Sequence, residues 1–474
     1  MDLPAEIVNK YGNAIETLGQ GDFGQIFKTD KNYAIKAIQT QDIDFPDKSS
    51  ILDFSGANNV NSPYVVKLEK VLLTPEYTYM VMPIGKPIKF DIAKERIKSV
   101  FQEMCMAVTD VHRAGMSHQD IKVENFIEIP IENTSRVNLI DFGLVRPYAE
   151  LQTGNLPYGY TFFYKPPEYF LGSYESAKGD VWALGIILLA FELGLDSPPF
   201  TAGYSMMYGK MLNEIYNALG WPPTVENQRY KQALQLGKNP NNILNTVTNV
   251  EARDLLSKML AINPDQRISI YEVMSHSYFN NVPDAYKTPV PMIEILNQRS
   301  LAGVKDNNPN FNVDGYQTAI ELSKSYNNEI PGSNKNTLFY AVTLFNYYSR
   351  YERIISTPDI YNCATTCYMI GSFFYDPEPK GISWYLNKNQ MLTTERMFNY
   401  MQKIVELFKY NLVLATPKDY LVQDLKDLKN LAKLDEYEKE LINDLAKSYN
   451  VSTRDISHNF IYVKSAYNLI YKLI

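Results

Sequence analysis

Cysteine is scarce. Three occur in 474 residues, Cys105, Cys363 and Cys367, an odd and sparse set that excludes a disulfide scaffold and fits a reducing compartment. Cys363 and Cys367 stand one helical turn apart with no histidine near them, too few ligands for a structural metal centre. Excess positive charge is absent too. With 46 Lys and Arg against 53 Asp and Glu the net charge is −7, which argues against electrostatic binding to nucleic acid or a membrane surface. Long apolar runs are missing. The most apolar stretch, Ala183 to Phe191, ends at Glu192 and is far short of the about 20 residues a bilayer span needs, so it reads as a buried core helix. The opening MDLPAEIVNKYG has neither a basic n-region nor an apolar h-region, and a soluble intracellular protein is expected.

What is present is globular: 45% apolar and 21% charged residues, in a chain too long for one ordinary core. Residues 1 to about 90 mix short alternating apolar runs with glycines, and YAIKAI, YVVKLEKVLL and YTYMVM read as strands. From about 92 to 280 the pattern is mostly helical. The stretch 281–315 is rich in Pro and Asn and reads as a linker. Beyond it Leu338, Ala341, Val342, Phe345 and Tyr348 recur at helical spacing, as do Leu421, Leu425, Leu428 and Ala432.

Gly19, Gly21 and Gly24 form G-x-G-x-x-G. Glycines also mark ordinary turns; their use here is that residues without Cβ let backbone N–H groups close over phosphates. A dinucleotide fold would start a helix at the third glycine. Instead Gln25 to Lys28 looks like a second strand and YAIK follows, which puts Lys36 on a strand behind the loop, within reach of α and β phosphates. Further on, His118-Gln119-Asp120-Ile121-Lys122-Val123-Glu124-Asn125 matches the catalytic loop H-R-D-x-K-x-x-N of protein kinases. That spacing serves one reaction: Asp120 accepts the proton of the attacking hydroxyl, Lys122 neutralises the travelling γ-phosphoryl and Asn125 holds a metal. Asp141-Phe142-Gly143 supplies a second oxygen ligand, sufficient with Asn125 for Mg²⁺.

The chain therefore resembles the eukaryotic protein kinases over residues 12–280. The resemblance implies an α+β bilobal fold, a small β-rich lobe before a larger helical one, and ATP with Mg²⁺ as cofactors. It implies a nucleotide site of Leu18, Gly19, Gln20, Gly21, Asp22, Phe23, Gly24, Gln25, Ile26, Ala34, Lys36, Met82 and Gly85. Asp120 and Lys122 are the implied catalytic pair, and Asn125 and Asp141 the implied metal ligands. Pro166-Pro167-Glu168 stands where the family has A-P-E, its Glu168 expected to pair with Arg267, and Asp180-Val181-Trp182 opens the buried helix. Lys122 with Thr161 follows the serine/threonine pattern, so the partner implied is a protein substrate bearing Ser or Thr. TFFYKPPE (161–168) and LNEIYNALGWPP (212–223) look like cyclin-dependent kinase segments.

Residues 316–474 are expected to form an all-α domain after the linker. Within it, 337–416 resembles a cyclin box: TLFYAVTLFNYYS from Thr337 looks like its second helix and YNCATTCYMIGSFF from Tyr361 its third, and the closing pattern ends at Thr416-Pro417. An intramolecular contact between this domain and the kinase, acting as a built-in activator, is the expected partner arrangement. Several positions depart from the families. The helix glutamate that pairs with the strand lysine aligns with Asp53, in a segment of poor helix formers. The catalytic-loop arginine is Gln119, Leu52 stands where a second phosphate-binding arginine is expected, and the phosphothreonine position aligns with Leu156. Only Arg146 of that receptor remains, so activity without activation-loop phosphorylation is expected. On the cyclin side Phe373 and Tyr375 replace a charged grip and Asn346 an aspartate; a tether offsets weak affinity by an effective concentration on the order of millimolar. The alternative function is a pseudokinase scaffold, which has no physical need for Lys36, Asp120, Lys122, Asn125 and Asp141 together.

Overall fold

The computed structural model describes residues 2–21, 24–39, 48–132, 134–148, 161–171, 177–201, 203, 208–220, 242–291, 295, 313–352, 354, 356–376 and 379–414. Asp22, Phe23, Thr153, Leu156, the segment 157–160, Trp221 to Pro223, Thr416, Pro417 and the helical pattern at Leu421 to Ala432 lie outside the described residues. The chain divides into two compact units. One comprises Met1–Lys36, Leu52–Lys70 and Met80–Pro289; the other comprises Ala37–Ile51, Val71–Tyr79 and Val290–Ile474.

The first unit starts with a short helix α1 (Ala5–Tyr11), ahead of the expected kinase start, anchored by buried Ile7 and Tyr11. Strands β1 (Ala14–Gly21) and β2 (Gly24–Thr29) pair antiparallel with Gly21 opposite Gly24. They belong to a five-stranded sheet ordered β1-β2-β3-β5-β4, with β3 at Tyr33–Gln39, β4 at Lys70–Leu73 and β5 at Tyr77–Pro83. Only the last four residues of the expected strand YVVKLEKVLL are strand. Before them Tyr64 and Val66 hydrogen-bond to Leu139 through the backbone, so their alternation serves a different partner from β4. The segment read as poor helix is helix α2 (Lys48–Asn59). Burial of Ile51, Leu52, Phe54 and Ala57 outweighs the weak propensity of its Ser, Gly and Asn residues.

Helix α3 (Lys94–Arg113) buries Ile97, Phe101, Met104, Val108 and Val111 on one face. The segment that carries Asp120, Lys122 and Asn125 follows, bounded by β7 (Met116–Ser117), β8 (Phe126–Ile131) and β9 (Thr134–Leu139); β8 pairs with β9 and with β6 (Lys86–Pro87), while β7 pairs with β10 (Arg146–Pro147). After α4 (Pro167–Phe170) comes α5 (Lys178–Leu193), buried from Gly179 to Phe191 and stopped by Gly194 in the left-handed conformation at φ 65°. This is the apolar run of the sequence, and no described helix is long and apolar enough to cross a membrane. Helices α6 (Tyr208–Leu219), α7 (Val250–Met259) and α8 (Ile270–Met274) complete the lobe. A β-sheet lobe followed by a helical lobe is thus the architecture of residues 14–274. The Pro-rich stretch read as linker begins docked: Tyr286 donates its hydroxyl to Asp110 at 3.2 Å.

The second unit is mostly helical. Helices α9 (Val313–Glu329), α10 (Lys335–Tyr351), α11 (Thr357–Tyr375), α12 (Ile382–Lys388) and α13 (Thr394–Leu407) surround α11, which is buried along most of its length. Gly371 lets α11 approach α10, where a β carbon would come within 3.0 Å of the Thr337 carbonyl oxygen. Asp376, 1% exposed, ends α11 and accepts from Thr337 Oγ1 (2.6 Å), Ser372 Oγ (2.6 Å), Asn334 N (2.7 Å) and Ser333 Oγ (3.2 Å), so side-chain and backbone donors satisfy a buried carboxylate. Cys363 and Cys367 are buried free thiols in α11, and burial pushes the Cys363 thiol well up.

Candidate active site

Two clusters of polar side chains form in the first unit. The first is built on β3 and α2. Lys36, 7% exposed, donates from Nζ to Asp53 Oδ2 at 2.6 Å and to Asp141 Oδ1 at 2.9 Å. The other oxygen of Asp53 accepts from the Phe142 backbone N–H at 2.6 Å. Helix α2 therefore sits inward, and the short acid reaches the lysine. Burial works against the Lys36 ammonium, but the Asp53 and Asp141 carboxylates outweigh it and raise its pKa. For Asp141 burial opposes the charge, and the Lys36 ammonium outweighs that and holds the carboxyl below its usual range. Asp53 goes the other way, pushed up by burial and by the Asp141 charge against the pull of Lys36.

The second cluster is the loop after β7. Asp120, 3% exposed, accepts at Oδ2 from Lys122 Nζ (2.7 Å) and Asn125 Nδ2 (3.2 Å), and at Oδ1 from the Thr161 N–H (3.0 Å) and hydroxyl (2.8 Å). Lys122 also donates to Thr161 Oγ1 at 3.1 Å. Asn125 commits its amide nitrogen to the Asp120 carbonyl and carboxylate, so its amide oxygen is the atom that could face a metal. The two clusters are joined by backbone, since Ile140 N donates to Asn125 O at 2.9 Å immediately before Asp141. A carboxylate and an amide oxygen are the hard donors magnesium takes, with phosphate and water completing its shell, so Asp141 and Asn125 fit that ion.

Gln119 and Asp141 are non-glycine residues at φ 65° and 64°. Asp180, at the head of α5, holds the first of them in place: it accepts from Ser117 Oγ (2.7 Å), His118 N (2.8 Å), Gln119 N (3.0 Å) and His112 Nε2 (3.0 Å). Burial lowers the pKa of His118, whose Nδ1 accepts from Asp120 N at 3.3 Å, and Phe142 lies edge-on to its ring. Gln119, standing for the family arginine, is 6% exposed and donates to Ser117 Oγ at 2.6 Å. Glu168 and Arg267 pair in bidentate fashion at 2.7 and 2.9 Å, with the guanidinium 5.0 Å over Trp182.

Of the remaining residues expected at a nucleotide site, Leu18, Gly19, Gln20 and Gly21 lie on β1 and Gly24, Gln25 and Ile26 on β2, with Gly19 opposite Ile26 and Gln20 opposite Gln25. Ala34 is buried on β3, Met82 is near the end of β5, and Gly85 follows it where a β carbon would come within 2.8 Å of Ile127 Cδ1. The positioning roles of Asp180 and His112 and the second bond of Asp53 were not foreseen. The signal for Asp180 was available: a carboxylate opening an otherwise apolar helix has to find donors.

This arrangement has counterparts. The protein kinase domain family matches residues 13–279. The serine/threonine-protein kinase ppk23 of Schizosaccharomyces pombe is 26% identical over 296 residues, covering 57% of this chain and 72% of its own. The maternal embryonic leucine zipper kinase of Xenopus tropicalis is 27% identical over 299 residues, covering 59% of this chain and 40% of its own. That of Danio rerio is 26% identical over 306 residues, covering 61% and 40%. This chain thus spans less than half the length of the two leucine zipper kinases. With the family matched over more than half of its residues, the chain belongs to the protein kinase family and is a serine/threonine protein kinase.

Proposed function

We propose that the chain transfers the γ-phosphoryl group of ATP to Ser or Thr of a protein substrate, is cyclin-dependent-kinase-like, and is activated in cis by a cyclin-like C-terminal domain. The observation that carries the catalytic reading is the pair of clusters around Lys36 and Asp120. Lys36, held by Asp53 and Asp141, engages the α and β phosphates. Asp120 orients the incoming hydroxyl and takes its proton, while Lys122 offsets charge on the γ-phosphoryl oxygens. Asp141 and Asn125 would hold a magnesium ion, which would supply charge neutralisation at the phosphates.

Support for the activating domain comes from inside the second unit. There, Gln402 on α13 donates from Nε2 to the Val71 carbonyl at 3.1 Å and accepts at Oε1 from the Leu73 N–H at 2.9 Å. Phe373, Phe398 and Met401 share a small cavity with Ile38, Ile51 and Leu73. In this reading an apolar contact and a backbone grip take over from the charged grip of cyclins.

The test is a peptide-library phosphorylation assay on the full chain beside Asp141→Asn. The wild type should label Ser and Thr peptides, with Pro following the acceptor, and the variant should lose roughly hundredfold or more. Equal rates would leave a scaffold, and labelling without a Pro preference would remove the cyclin-dependent-kinase likeness alone.

A further inference from the structure

Gly56 lies three residues after Asp53 on α2, on the same helical face. A β carbon at position 56 would come within 2.7 Å of Val145 Cγ1, 3.0 Å of Phe142 Cβ and 3.2 Å of Phe142 Cδ1. Val145 and Phe142 are 1% and 0% exposed, so neither has solvent to swing into. The helix can approach the Asp141–Val145 segment this closely only with glycine at that position.

The same closeness is what a short acid needs. Asp53 has one methylene fewer than glutamate, yet its two oxygens span Lys36 Nζ and the Phe142 N–H at 2.6 Å each. Phe142 thus meets α2 twice, through its backbone at Asp53 and through its side chain at Gly56. A helix pushed outward by a side chain at 56 would leave the aspartate short of one partner or both. A glutamate would reach from that outer position, and in the present one it would crowd the lysine.

We infer that Gly56 is a positioning residue for Lys36, setting the depth of α2 at which aspartate rather than glutamate spans the lysine and the Phe142 backbone. Asp53 and Gly56 form a matched pair, each requiring the other. The inference rests on the reading of Lys36 as the lysine that engages ATP phosphates.

The test is a double-mutant cycle on the full chain, with kcat and KM for ATP measured for the wild type, Asp53→Glu, Gly56→Ala and the double variant, and Lys36→Met as a control. Gly56→Ala should lose about tenfold to hundredfold in kcat/KM, and Asp53→Glu alone about threefold to tenfold. Adding Asp53→Glu to Gly56→Ala should recover about tenfold, so that the effect of the longer acid changes sign with the residue at 56. Losses that simply add, or a Gly56→Ala enzyme with wild-type kinetics, overturn the inference. If Gly56→Ala fails to fold, Val145→Ala removes the nearest obstructing atom; in that combined background thermal melting should recover and aspartate should again outperform glutamate at position 53. Indifference to the acid there overturns the inference as well. A Lys36→Met chain with wild-type turnover brings down the phosphate reading and this inference together, whereas an inactive Lys36→Met chain without the sign change brings down this inference alone.

Discussion

At the scale of single residues, Asp180 shows how one buried carboxylate can fix the backbone that leads into Asp120. Burial opposes its charge, but hydrogen bonding and attraction from His112, together with Ser117 and His118, hold its pKa below the ordinary 3.8. A carboxyl depressed in the folded state contributes stability that is present in full above its unfolded value. That contribution is lost as pH falls through the lower folded value. Wild-type stability should therefore decline steeply from about pH 4 downward as this and other paired carboxylates take up protons. Asp180→Asn keeps one acceptor oxygen but loses the charge that four donors face, and should cost about 2 kcal/mol or more at pH 7. Because the variant has no proton to bind at this position, its deficit should shrink as the pH falls below about 4. Denaturant unfolding at pH 7, 5 and 3 measures both chains, and a constant difference across that range would refute the role of the charge.

Among elements, the edge strand β4 and helix α13 make the most unusual pairing. An edge strand presents free N–H and C=O groups, and Gln402 uses its amide as a substitute strand, taking one of each from Leu73 and Val71. Its Nε2 also donates to Glu406 at 2.8 Å. Gln402→Ala should destabilise the fold by about 1–2 kcal/mol through the two half-buried bonds. Gln402→Glu should cost more, because it aims a carboxylate at the Val71 carbonyl and sets like charges four residues apart. Thermal melting of the three chains orders them, and a Gln402→Glu chain as stable as the wild type would remove the substitute-strand role. Nothing in the sequence marks Gln402, since its strand partners lie 329 and 331 residues away. The opposite holds for the loop after β7, where Asp120, Lys122 and Asn125 fall within six residues and their spacing alone brings them to one place. Between these extremes stand elements whose local signal is ambiguous. The alternation of Tyr64 and Val66 suits a strand, yet only a partner chosen by the fold, Leu139, decides where they bond. Helix α2 reads as a weak helix former, and long-range burial of Phe54 and Ala57 decides its fate. Gly56 is equally silent in one sequence, because its use appears only when Phe142 and Val145 are packed against it.

For the whole molecule, the division into units does not follow the chain. Segments 37–51 and 71–79 belong with Val290–Ile474, although in sequence they lie inside the stretch that matches the kinase family. The second unit therefore draws residues from within the kinase match as well as from the C-terminal part of the chain. A cut in the Pro- and Asn-rich stretch near Val304 should leave the unit intact at high concentration, because neither the Gln402 bonds nor the cavity around Phe373 and Ile51 depends on chain continuity there. What the cut removes is the effective concentration that covalent connection supplies, on the order of millimolar. With a protease site inserted after Val304, the cleaved pieces should elute together at high protein concentration with the specific activity of the intact chain. On dilution the cleaved enzyme should lose activity as the pieces part, while the intact chain should keep its specific activity at every dilution. Gel filtration and kinase assay on the same dilution series give both readouts. Separated pieces that retain full activity would show that the C-terminal helices are not an activator. Pieces that part even at high concentration would show that the shared unit does not hold without the tether.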